Sequence, residues 1–169
     1  MHDWVLDDLV SATVVLIEEQ FGARLSIHLR TKNLTYAQLW TTMSDWEFVQ
    51  SGTQLLSSAD PTHPIPEQYA INVSKIPPDL VVERVKWEAQ IGRLQVDFSN
   101  DVSLSVVAYQ VDVDENDDFF VVFTEKQSFG FFASGRVVVE ESNLGQEPKA
   151  RKILGLGDAD IQQPPVQKE

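Results

Sequence analysis

From Leu80 to Glu141 the chain divides into six short segments of alternating polarity, separated by residues that favour turns. The segments are Leu80–Ala89, Arg93–Phe98, Val102–Val113, Phe119–Glu125, Phe129–Ala133 and Arg136–Glu141. In the second, Leu94, Val96 and Phe98 fall on one side and the polar residues on the other, the two-residue period of a half-buried strand. Ser99-Asn100-Asp101 and Ser134-Gly135 supply turn chemistry, and Asp114 to Asp118 reads as a loop. Short consecutive strands with short connections pair with their neighbours, so this half predicts an antiparallel meander of about five to six strands.

The N-terminal half reads differently. In Asp3–Gln20, Leu6, Leu9, Val10, Thr13, Val14, Leu16, Ile17 and Phe21 recur at three- and four-residue spacing, with Asp7, Asp8, Ser11, Glu18 and Glu19 opposite. That pattern predicts an amphipathic helix ended by Gly22. Arg24–Arg30 alternates as a strand. Thr35 with Gln38, and Ser44 with Glu47, have the spacing of capping boxes and predict two further helical pieces ended by Gly52. Ser57 to Pro78, punctuated by five prolines, reads as a long loop with a short strand at Tyr69–Val73. Helices first and sheet second predict an α+β fold, with N-terminal helices packed on one face of the antiparallel meander. The domain is expected to span 1–145. The polar tail 146–169 is expected to form a short basic helix at Lys149–Leu156 and then disorder.

Charge narrows the function classes. The net charge is −13 and there is no cysteine, which removes disulfides, thiol nucleophiles and thiolate metal sites. Such acidity repels nucleic-acid phosphate and anionic membrane, and attracts basic proteins. No basic n-region precedes the first apolar run, so a cytoplasmic location is expected. Leu94–Glu147 holds eleven acids against Lys126 and Arg136, placing much of the surplus in the strand half.

The densest acid is Asp112-Val-Asp114-Glu115-Asn-Asp117-Asp118. Its spacing invites a calcium-loop reading, but the sixth position is Asp117 where that loop needs glycine, and the twelfth is Phe123 where it needs a bidentate acid. No metal or cofactor is expected. Asp112, Asp114, Glu115, Asp117 and Asp118 instead form a landing place for a partner's lysines and arginines. His2, His28 and His63 lack metal-ligand spacing and read as surface residues. There is no Gly-x-Ser-x-Gly elbow, although a serine, histidine and acid brought together from distant positions would leave no linear trace. Phe131 and Phe132 must point to opposite faces of their strand, and Phe119-Phe120 poses the same question. Lys149, Arg151 and Lys152 form a basic cluster that could fold back onto the acidic sheet or bind nothing.

These features point away from an enzyme and towards an acidic binding protein that engages a basic protein partner, as immunity proteins, inhibitors and chaperones do. A homodimer is compatible with this reading. Two alternatives stand beside it: a ligand-binding or enzymatic cone of helices over a curved sheet, with Gln110 and Asp112 as its inward polar groups, and a nucleic-acid mimic.

Overall fold

A computed structural model describes residues 4–20, 24–42, 44–59, 75–108 and 118–156, and it is mostly β. A single turn of helix, α1 (Trp4–Asp7), precedes β1 (Thr13–Gln20), β2 (Arg24–Arg30), β3 (Tyr36–Thr41), β4 (Ser44–Gln50) and β5 (Thr53–Ser57). Then come β6 (Val82–Glu88), β7 (Arg93–Phe98), β8 (Val102–Ala108), β9 (Asp118–Thr124), β10 (Gln127–Phe132) and β11 (Val137–Glu141). The second helix, α2, covers Pro148–Ile153 and follows a 3-10 turn at Leu144–Gln146. Residues 1–3, 21–23, 43, 60–74, 109–117 and 157–169 lie outside the described set, and with them the expected strand Tyr69–Val73, His2, His63, Gln110 and Asp112.

The strands form two antiparallel sheets. Sheet A has the order β1-β2-β3-β9-β10-β11, and sheet B the order β5-β4-β8-β7-β6. The expected α+β architecture is therefore wrong. Among the described residues only the single turn α1 precedes the strands, and the expected meander is itself divided: β6–β8 join β4 and β5 in sheet B, and β9–β11 join β1–β3 in sheet A. The helix-over-sheet cone falls with it, because the layer opposite the sheet is itself a sheet.

A β-bulge explains the misread N-terminus. Val14 pairs with Leu29 and Leu16 with His28, so Val15 is an extra residue in β1. The bulge breaks the two-residue alternation and leaves Val14 and Ile17 buried three positions apart, which is helix spacing. Glu19, which a helix would place on its solvent face, is only 3% exposed and pairs with Leu25. The two capping boxes fail for a different reason. Thr35 closes the β2–β3 turn through Thr31 (Oγ1–Oγ1 2.6 Å), and Gln38 turns its amide onto Ser26 of the neighbouring strand. β4 alternates cleanly, with Ser44, Trp46 and Phe48 buried and Asp45 and Glu47 exposed. β-branched and aromatic residues in both segments favour the pleated sheet once neighbouring strands are present.

The two sheets cross steeply. Thr13 of β1 bridges Val81, at the head of β6. Six residues on, Trp87 of β6 packs on Phe119 and Phe120 of β9 and Phe131 of β10, at ring distances of 5.0, 5.4 and 5.7 Å. β10 lies four strands from β1, roughly 19 Å at the usual spacing, and six strand residues span about 20 Å. β6 thus runs across sheet A, the geometry of orthogonal sheet packing. One continuous core fills the space between, from Leu6 and Leu9 beside α1 to the aromatic cluster around Trp87.

A second bulge settles the paired phenylalanines. Phe131 pairs with Phe120 and Phe132 with Asp118, so Phe119 is the extra residue in β9. Phe119 and Phe120 are both completely buried, their rings 4.8 Å apart. Phe131 joins them, stacked on Phe120 at 4.4 Å. Phe132 faces the other way, with the Arg136 guanidinium 4.5 Å above its ring.

Candidate functional site

Two places gather polar chemistry. The first is the end of the sandwich from which segment 109–117 springs. β8 ends at Ala108, which pairs with Ser44 and donates its N–H to Gly92 O at 2.9 Å. β9 begins at Asp118, whose main-chain O and carboxylate Oδ1 both accept from the Thr42 hydroxyl, the latter at 2.9 Å. Thr42 N–H also donates to Phe119 O at 3.1 Å. Both stems of the segment are thus pinned beside the β3–β4 crossover. Asp118 itself is half-buried and occupied by Thr42, whereas Asp112, Asp114, Glu115 and Asp117 lie outside the described residues.

The acid is distributed unevenly around this framework. Segment 109–117 holds four of the chain's 26 acidic residues and none of its 13 basic residues. Asp97, one of the acids read as surplus, is met across the strand pair by Arg84 (Nη2–Oδ2 2.7 Å). Lys86 and Glu88 pair at 3.4 Å on the same outer face. These exposed pairs contribute little stability, but they cancel charge locally. No group of three or more His, Asp or Glu capable of holding a metal occurs among the described residues. No described helix is long and apolar enough to cross a membrane.

The second place is the outer face of sheet A beneath α2, and linear sequence did not reveal it. Alternation along β2 puts Leu25, Ile27 and Leu29 in the core and Ser26 and His28 on the opposite face. Alternation alone would send that face to solvent. Instead His28 is 4% exposed and Ser26 completely buried, because α2 lies over them. Ala150, Ile153, Leu144 and Leu154 pack on Tyr36 in a small cluster separate from the main core. The Arg30 guanidinium donates to the Ile153 carbonyl.

His28 sits at the centre of a polar network. Its Nε2 is 2.7 Å from Glu18 Oε1 and 3.3 Å from Ser26 Oγ. Its Nδ1 is 2.9 Å from the Tyr36 hydroxyl, which is also 3.0 Å from Gln38 Oε1. The same Glu18 oxygen receives the ammonium of Lys149 from α2. A serine, a histidine and an acid do therefore meet, but not as a hydrolytic triad. Glu18 and Ser26 share one ring nitrogen, where a triad places them on opposite nitrogens. Ser26 is also sealed from any substrate.

The electrostatics follow from burial and the shared carboxylate. Burial alone would raise Glu18, but hydrogen bonds from Lys149 and His28 outweigh it and hold the acid below its usual range. Burial pushes His28 below the ordinary imidazole value; Glu18 pulls it back upward and Lys149 pushes it further down. Burial raises the Tyr36 phenol, with the Glu147 and Glu18 carboxylates adding to the effect. The phenol has an alkaline consequence. Above its ordinary value near 10, the unfolded chain sheds this proton while the folded chain keeps it. Stability is complete below that pH and declines above it. A Tyr36→Phe variant should lose this part of the alkaline decline in a pH series of denaturant melts. An identical alkaline slope in both proteins would refute the assignment.

No protein-family model, curated protein or solved structure matches this chain.

Proposed function

We propose that this protein is a binding module that engages a basic protein partner through segment 109–117, with Asp112, Asp114, Glu115 and Asp117 as the contact acids and Asp118 as their anchored stem. One observation carries the reading: a segment with four acids and no base in nine residues leaves the sandwich from two fixed stems. Fixed stems limit the conformational entropy lost when such a segment is captured, and concentrated charge steers a cationic partner to one end of the sandwich. The polar outer face of sheet B supports the reading more weakly, since its charges are already paired.

The test uses cytochrome c as a cationic globular probe, with binding followed calorimetrically at low and high salt. A variant carrying Asp112→Asn, Asp114→Asn, Glu115→Gln and Asp117→Asn is compared with one carrying Asp7→Asn, Asp8→Asn, Glu140→Gln and Glu141→Gln. Both lose four charges. The first should weaken binding about tenfold or more and flatten its salt dependence, while the second changes it little. Equal losses in the two variants would mean that net charge alone attracts the probe, and the segment would have no special role.

A further inference from the structure

We propose that α2 is a proton-released latch: protonation of His28 frees the C-terminal helix from the outer face of sheet A. The latch is independent of the binding role assigned to segment 109–117. It rests on one shared atom. Glu18 Oε1 holds both His28 Nε2 and the Lys149 ammonium, so one carboxylate oxygen joins the imidazole to the helix, beside the Arg30 contact to the Ile153 carbonyl and the packing on Tyr36.

With His28 neutral, Nε2–H donates to Glu18 and Nδ1 accepts from Tyr36. The Lys149 charge is then the only cation on that carboxylate. Protonation changes two things. Nδ1 stops accepting, but the Tyr36 hydroxyl can turn to Gln38 Oε1, so the hydrogen bonds adapt. The charge has no such outlet. The imidazolium is buried beneath α2, and it shares its carboxylate, which is only a quarter exposed, with the Lys149 ammonium.

The other groups facing the imidazole do not restore the balance. Ser26 on β2 and Tyr36 on β3 are neutral. Glu147, at the N-terminal end of α2, favours the imidazolium, but it ranks below burial, Glu18 and Lys149 in its effect on His28. The side chain best placed to leave is Lys149, which is half-exposed on a helix held by a satellite cluster and not by the main core. Its departure hydrates His28 and removes the neighbouring positive charge, and both changes favour the proton. Acid therefore favours the open form and the open form favours the proton, as linkage requires.

Amide exchange on the full chain tests this, with rates corrected for the intrinsic effect of pH. Arg151, Leu154, Gly155 and Leu156 donate to Glu147, Ala150, Lys152 and Arg151 in the docked helix. Their protection should fall severalfold, up to the roughly tenfold that one imidazole allows, between about pH 7.5 and about pH 5.5, with sheet B amides unchanged. His28→Gln keeps a donor for Glu18 but cannot gain a proton, so its helix protection should stay level across this range. Lys149→Met, at an exposed position, should leave the helix loosely held at both pH values. Undiminished protection of the wild-type helix at the lower pH would overturn the latch. So would the full wild-type response in either variant.

Discussion

Replacing Phe120 by alanine should destabilise the sandwich by about 3–5 kcal/mol, the upper range for loss of a buried aromatic ring. Phe120 is completely buried where the two sheets cross. Its ring stacks on Phe131 at 4.4 Å and 10°, meets Phe119 edge-on at 4.8 Å, and meets Trp87 edge-on at 5.4 Å. Three aromatic partners from two sheets surround one side chain, so no single neighbour can move in to fill the hole. A domain of this kind has only about 5–15 kcal/mol in all. With a urea slope of about 1–3 kcal/mol per molar, the midpoint should fall by more than about 1 M. Phe132→Ala is the control. It removes the same ring from a nearby strand, but from the outer face, where Arg136 covers it. Its loss should be about half as large or less. Equal shifts would mean that Phe120 is not the shared centre of the two sheets.

The contrast between Phe120 and Phe132 also shows where sequence reading succeeds. Adjacent residues of a strand face opposite ways at Phe131 and Phe132, as alternation requires. They do not at Phe119 and Phe120, because a bulge adds a residue that pairing alone reveals. The bulge at Val15 has a larger consequence, since it gives a strand the spacing of a helix. β2, β7, β8, β10 and β11 are legible as strands from their own alternation and turn boundaries. In β3 and β4 the local capping signals compete with the alternation that Trp46 and Phe48 carry. Tertiary pairing overrides such signals, because a side chain that could cap a helix can equally bond across a sheet.

The polar cluster was half legible. Alternation places Ser26 and His28 on one face of β2, away from the core. Nothing local says that this face is covered, because the cover comes from Lys149, Ala150 and Ile153, more than a hundred residues later. The expectation placed the basic stretch against the acidic strand half or against nothing, whereas Lys149 meets Glu18 of β1. It could not name Glu18, which a helical N-terminus would place on a different face.

Gly145→Ala should detach that cover while leaving the sandwich standing. Gly145 lies in the 3-10 turn that leads into α2 and presses directly on the chain at Glu125. A β-carbon there would lie 2.8 Å from both Cβ and Cγ of Glu125 and 3.0 Å from its Cα. Those atoms belong to the root of a side chain and to the backbone, so they cannot swing aside as a flexible tip could. The turn must move outward, and α2 follows it within a few residues. The loss includes the burial of Ile153 and Ala150 on Tyr36, about 2–4 kcal/mol of local stability. Because this cluster is separate from the main core, the cost falls on docking and not on the fold. The expected outcome is loss of amide protection at Arg151 and Leu154 at neutral pH, with a urea midpoint for the sheets close to that of the wild type. His28, no longer buried beneath a helix, should titrate in the ordinary imidazole range, which proton resonances of its ring would report. A variant that retained helix protection would show that the close approach at Glu125 relaxes without undocking. One that lost the sheets together with the helix would show that α2 belongs to a single cooperative unit with the core.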